Sequence, residues 1–123
     1  MVATTQAASV PRMVRAGLDR VLRAQCGAQR MPADTHAARA RKLTRVAELF
    51  EREQCWWNVL SHWARQRDGL FSTSADVEVT VVFARAAGDA AHRAGSFAES
   101  YREMAADAWQ RSLAVASDSG VAV

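Results

Sequence analysis

Cysteine, histidine and carboxylate side chains are the first candidates for chemistry, because together they can bind a metal ion or form a nucleophile–base pair. Six polar side chains share one face of a predicted helix: Glu48, Glu51, Cys55, Asn58, His62 and Gln66. Cys55 and His62 are seven residues apart, about 10 Å along a helix, which is too far to share one ion. A di-iron bundle needs Glu-x-x-His pairs on two helices, and the sequence has none. This face is predicted to be solvated, and no metal site is predicted.

The common catalytic motifs are missing from the sequence. There is no glycine-rich phosphate loop, no nucleophile elbow and no His-Glu-x-x-His. Cys26 and Cys55 are the only cysteines and are predicted to be reduced thiols without a catalytic role. No catalytic residue and no cofactor is therefore predicted. A cofactor-dependent enzyme subunit stays open as the last of three functional alternatives.

Basic side chains are concentrated in the N-terminal half. Residues 1–47 hold nine Lys and Arg against two carboxylates, a balance of +7, whereas residues 48–123 have a balance of −4. Basic side chains can contact nucleic-acid phosphates or an acidic protein surface, or they can form a solvated face with local ion pairs. No aromatic residue is interleaved with the cluster, which argues against base stacking. The candidates for partner or phosphate binding are Arg12, Arg15, Arg23, Arg39, Arg41, Lys42 and Arg45.

Three tryptophans lie within eight residues of the segment REQCWWNVLSHW. At 100° per residue, one apolar stripe consists of Leu43, Val46, Phe50, Trp57 and Leu60, and a second consists of Leu49, Trp56 and Trp63. The two stripes span about 160°, more than the roughly 100° that a helix needs to face one neighbour. The arc predicts either a central helix with two neighbours, or a second stripe that binds a partner protein or a second copy.

Four helices are predicted to position these residues. The apolar periodicity and the turn residues place them at 10–29, about 34–68, 75–94 and 96–116, with Asp34 as a cap and Pro11 at a first helical position. The sequence GLFSTSAD is predicted to be a loop after Gly69. The fold is predicted to be all-α, a mostly antiparallel four-helix bundle around one long central helix. Residues 1–9 and 117–123 are predicted to be flexible ends of a single domain over 10–116.

The segment VEVTVVFARAAG is ambiguous, because its valines alternate as in a strand. A helix is predicted nevertheless, because the polar residues stay on one helical face for over four turns and a lone strand would have no partner. Gly95 is predicted to end this helix, and Ser96 with Glu99 is predicted to form a capping box for the next. Apolar faces are predicted along both helices, at Val79, Val82, Phe83, Ala86 and Ala90, and then at Phe97, Tyr101, Met104, Ala105, Ala108 and Ser112.

The glycines of this region also carry a resemblance. Gly88, Gly95 and Phe97 stand where a tetratricopeptide hairpin has its two glycines and the aromatic residue that opens its second helix. Ala84, Ala87 and Asp107 depart from that pattern, and no second copy of the repeat follows. The segment is therefore predicted to be an ordinary αα-hairpin.

Composition limits the remaining alternatives. No apolar run approaches the length of a membrane span, and no signal peptide is visible, so a cytoplasmic protein is expected. Fifteen arginines against one lysine and the richness in alanine indicate a bacterial source. The function predicted first is non-catalytic: a helical binding or assembly protein, self-associating or an accessory subunit of a larger complex. The second alternative is a small helical subunit that contacts nucleic-acid backbone.

Overall fold

The computed structural model describes the backbone of residues 2–66 and 74–118, and the side chains of residues 9–66 and 78–118. Within these ranges the chain forms three helices and no strand: α1 (Val2–Gln29), α2 (His36–Gln66) and α3 (Ser74–Asp118). The all-α class is confirmed, whereas the predicted count of four helices is wrong. The predicted stop at Gly69 and most of the GLFSTSAD loop lie outside the described residues.

A short connection joins α1 to α2, and hydrogen bonds within the chain cap both helix ends. The backbone N–H groups of Arg30 and Met31 donate to the carbonyls of Gly27 and Ala28 at 3.1 Å, which closes the last turn of α1. Thr35 caps α2, because its hydroxyl accepts a hydrogen bond from the N–H of Ala38 at 3.0 Å. The predicted cap, Asp34, lies one residue too early for this geometry.

Helix α1 begins at Val2, well before the predicted start. Pro11 therefore lies inside the helix rather than at its first position. A proline there removes one backbone hydrogen bond, and in a helix interior this costs about 3 kcal/mol. Packing of the following residues compensates this cost, because Val14 and Val21 are buried against α2.

Helix α2 lies between the other two helices and runs antiparallel to both. Near its start, Lys42 donates to the carbonyl of Gln29 at the end of α1, at 2.9 Å. Near its end, the Ser61 hydroxyl donates to the carbonyl of Ala84 near the start of α3, at 3.1 Å. The close backbone contacts of the described residues join α2 to α1 and α2 to α3. The wide apolar arc of α2 thus packs against two neighbours, which is the first of the two alternatives that the tryptophan pattern left open.

The ambiguous valine segment is helical, as predicted, and lies in α3. The predicted break at Gly95 is wrong, because α3 continues through Gly95 and Ser96 without interruption. Gly95 instead leaves room for a side chain of α2, because a Cβ at this position would lie 2.5 Å from Nε2 of Gln54. The absence of a side chain lets α2 and α3 approach each other at this point. The predicted capping box and hairpin are therefore wrong as well.

Alanine forms the face of α3 that packs against α2. The buried residues of this face are Thr80, Ala84, Ala87, Ala91, Ala94, Ala98, Ala105 and Ala108. The opposing face of α2 is also small at several positions, including Ala40, Ala47 and Ser61. Small side chains let two helices pack at the short end of the usual interaxial range. The alternative face, with the predicted apolar residues Val79, Val82, Phe97 and Met104, is exposed.

Candidate functional site

The tryptophans of α2 are partly covered within their own chain. Trp56 packs against α1, where a Cβ on Gly17 would lie 2.0 Å from Cε2 of its ring. Trp57 and Trp63 pack against the buried cluster of Val14, Leu60 and Ala87. All three rings are half-buried rather than exposed.

Leu49, the third residue of the predicted partner-binding stripe, is completely buried. It has no surface left for a partner while the three helices are packed. A partner contact by Trp56 and Trp63 stays a prediction. A partner would contact the part of each ring that the chain leaves uncovered. A larger exposed apolar surface lies on another helix, α3.

That surface lies along α3 and was not recognised as exposed from the sequence. We name it the outer stripe; its members are Val79, Val82, Phe83, Phe97, Met104 and Val115, which are between 42% and 69% exposed. At 100° per residue they lie within about 100° of one another, next to the alanine face. From 79 to 115 the outer stripe is about 54 Å long. Ala86, Ala90 and Arg93 separate Phe83 from Phe97, so the stripe is a row of spaced bulky side chains along one helix face.

The aromatic residues at the middle of the outer stripe continue onto α2. The ring of Phe97 lies 5.2 Å from that of Phe50, between centroids, and Phe50 stacks on Tyr101 at 5.6 Å. Offset aromatic contacts of this kind contribute about 0.5–1.5 kcal/mol beyond area burial, and they fix the ring orientation. Phe97 is therefore held in place on one side and remains exposed on the other.

One sequence signal could have located the outer stripe. Among the alanines of α3, those at 84, 87, 91, 94, 98, 105 and 108 follow the three-, four- and seven-residue spacing of a helical seam. Hydrophobicity alone favours the face with valine, phenylalanine and methionine, because alanine counts as weakly apolar. The length of the alanine row indicates the packed face better than its hydrophobicity does.

The residues of the predicted basic cluster are divided between α1 and the first part of α2. Arg12, Arg15 and Arg23 are exposed on α1, and Arg39 is exposed near the start of α2. Two of the seven side chains are engaged within the chain. Lys42 bonds the Gln29 carbonyl, and Arg45 pairs with Glu48 at 3.4 Å.

Arg41 and Arg45 line a shallow groove of about 640 Å³ between α2 and α3. Arg102 and the half-exposed Trp109 of α3 line the same groove, over a floor that includes Ala40 and Ala105. The sequence showed no aromatic residue among the basic ones, because Trp109 is more than sixty residues away along the chain. The fold thus provides a cationic, aromatic groove that local sequence does not show.

The polar stripe of α2 contributes Glu51 to an ion pair between α2 and α3. Arg102 donates from Nε to Oε1 of Glu51, and this hydrogen bond lowers the pKa of the Glu51 carboxyl and raises the pKa of Arg102. Cys55 and His62 are exposed. In the part of the chain that the structure describes, no three His, Cys, Asp or Glu side chains are close enough to hold a metal ion.

Comparisons with known proteins add no relative: no family model, no curated protein and no solved structure matches the chain. The described helices include none that is long and apolar enough to cross a membrane.

Proposed function

We propose that this protein is a non-catalytic helical assembly protein that binds another polypeptide through the outer stripe of α3. The observation that carries the proposal is the arrangement of side chains on α3. Alanine is packed inside, and valine, phenylalanine and methionine are outside. A helix that served only the core of a monomer would place its large apolar side chains inward, since burial of a large side chain stabilises by about 1.5–3 kcal/mol.

Binding of a helix or a helical pair suits the shape of the outer stripe. The surface is one face of a single helix and about 54 Å long, which matches the side of another helix better than a rounded domain. Phe97 and Met104 at its middle are candidates for the residues that contribute most to binding, because aromatic side chains dominate the energy at interface centres. Polar residues flank the row, as at the rim of protein interfaces.

Site-specific photo-crosslinking in the cells that produce the protein tests this proposal. With a benzophenone amino acid at position 97, we expect a discrete crosslinked protein product. The matched control carries the same group at position 99, because Glu99 is exposed on the same helix about 160° away from Phe97. A further substitution in the outer stripe, Met104→Glu, should abolish the product from position 97. Equal products from both positions, or none from position 97, would contradict the proposal.

A second candidate function, contact with nucleic acid, is favoured by the groove between α2 and α3. Arg41, Arg45 and Arg102 line it together with Glu48 and the half-exposed Trp109. Cationic side chains can hold a phosphate, and an aromatic ring beside them can stack on the adjacent base. Arg45 and Arg102 already pair with Glu48 and Glu51, so Arg41 is the groove arginine without an ion pair in the described part of the chain.

If the groove binds single-stranded nucleic acid, Arg41→Ala should reduce the slope of log affinity against log salt by about 0.7. Trp109→Ala should weaken binding by about 1–3 kcal/mol and leave the slope unchanged, because stacking releases no counterion. Fluorescence anisotropy with a labelled oligonucleotide measures both effects. Arg20→Ala is the matched control, since Arg20 is exposed on α1 outside the groove. Absence of binding at low salt would remove this candidate.

A further inference from the structure

We infer that the polypeptide bound by the outer stripe is a second copy of the chain, with the two α3 helices antiparallel around a two-fold axis at residue 100. This inference rests on the proposed function and specifies its partner. It is carried by the order of four charged side chains that run beside the outer stripe. They are Asp89, Arg93, Asp107 and Arg111, and all four are exposed.

The four charges are self-complementary only when the helices are antiparallel. The midpoint of 89 and 111 is residue 100, and so is the midpoint of 93 and 107. An antiparallel copy centred there places Asp89 level with the second copy's Arg111, and Arg93 level with its Asp107. A parallel copy in register places each charge level with the same charge, which is repulsive. Two-fold symmetry then repeats every favourable pair, giving four in all.

These four residues lie on one side of Phe97. Asp89 and Asp107 lie just beyond the edge of the outer stripe that Val82 marks, and Arg93 and Arg111 lie just inside that edge. At 100° per residue, Asp89 and Asp107 share one direction, and Arg93 and Arg111 share another about 40° nearer to Phe97. In an antiparallel helix pair, positions on the same side of the contact face each other. The arginines therefore extend from the edge of the contact toward carboxylates on the same edge of the other helix.

Two apolar pairs fall close to this axis, about a centre half a residue further along α3. With the helices centred between Ser100 and Tyr101, Phe97 is level with the second copy's Met104, and Ala86 is level with its Val115. Each pair combines a larger with a smaller or more flexible side chain, which is the arrangement that packs without voids. Sulfur–aromatic contact adds to the Phe97–Met104 pair.

The charges are available for contacts between copies. Asp89 and Arg93 are four residues apart on α3, yet they form no ion pair with each other or elsewhere in the described residues. Asp107 and Arg111 do pair at 3.1 Å, but both side chains are about two-thirds exposed. An exposed pair of this kind is weak, so its members can exchange partners in a dimer at little cost.

Sedimentation velocity at low ionic strength tests the inference with two single charge reversals. We expect the wild-type chain to sediment as a dimer of twice the 13.4 kDa chain mass. Arg93→Asp brings two carboxylates together at each end of the contact, and Asp107→Arg brings two guanidinium groups together. Each variant alone should raise the Kd for dimerisation about 10- to 30-fold.

Mixing the two variants in equal amounts is the decisive measurement. In the mixed dimer, the Asp introduced at 93 and the native Asp107 of one chain face the Arg introduced at 107 and the native Arg93 of the other. Dimerisation should therefore return to within about threefold of the wild-type Kd. Mixing cannot change interactions within a chain, such as those of Asp107 with the nearby Arg39 and Arg111. Recovery would assign the effect to contacts between copies.

The matched control is Arg85→Asp, the same charge change on the same helix, about 120° from Phe97. It should leave the Kd unchanged. A wild-type chain that stays monomeric, a mixture that fails to recover, or an equal effect of Arg85→Asp overturns the inference. The proposed function fails separately, when position 97 gives no discrete crosslink; a crosslink to a different protein together with a monomeric chain would overturn only the self-association.

Discussion

Leu49→Ala should lower the free energy of unfolding by about 3–5 kcal/mol, the upper part of the range for leucine truncation in cores. Leu49 is completely buried and belongs to a cluster with Val21, Ala28 and Val46 where α1 meets α2. The truncation removes the contact area and leaves a cavity that two long helices cannot easily close. Urea unfolding followed by circular dichroism at the helix band measures the change.

Leu22→Ala is the control for this experiment, because it makes the same chemical change on α1 at a side chain that is 59% exposed. It should cost less than about 1 kcal/mol, since most of its surface is already in water. A loss below about 1 kcal/mol for Leu49→Ala would show that α1 does not pack on α2 as described. Since small domains are stable by only about 5–15 kcal/mol, partial unfolding of the Leu49 variant in buffer would agree with the expectation.

Gly17→Ala should lower the free energy of unfolding by about 1–3 kcal/mol, although alanine is the better helix former. The new Cβ would lie 2.0 Å from Cε2 and 2.5 Å from Nε1 of Trp56. Such a distance is far inside van der Waals contact, so the ring or α1 must move. The indole is rigid and half-buried, which makes the movement costly.

Gly27→Ala is the matched control, on the same helix and with no atom within 4 Å of the new Cβ. It should stabilise the protein by about 0.5–1 kcal/mol, because alanine loses less backbone entropy on helix formation than glycine. Thermal and urea unfolding of both variants give the signs directly. Stabilisation by Gly17→Ala to the same extent would mean that Trp56 does not rest on α1.

Local sequence was sufficient for the helical class, and it left two alternatives for the role of α2. The polar face beside the alternating valines predicted a helix there, and the structure has one. The 160° apolar arc, with Leu49 and Trp56 beside Leu43 and Leu60, predicted either two neighbours for α2 or a partner-binding stripe, and the described helices show two neighbours. Both predictions depend only on periodicity within one segment, which the sequence contains in full.

Local sequence was misleading at Gly95 and along the outer stripe. A glycine followed by Ser96 and Glu99 has the pattern of a helix end and a new cap. In α3, the missing side chain of Gly95 instead makes room for Gln54, a residue forty-one positions earlier in the chain. An isolated glycine destabilises a helix by only about 1 kcal/mol. The free energy gained by packing α2 against α3 exceeds that cost.

Tertiary structure alone decided which face of α3 is inside. The sequence offers two apolar faces, one of alanine and one with Val79, Phe97 and Met104, and hydrophobicity favours the second. Close approach of α2 through its own Ala40, Ala47 and Ser61 selects the alanine face, because large side chains between the helices would force them apart. The bulky residues are then left on the surface, next to the charges from which we infer the second copy.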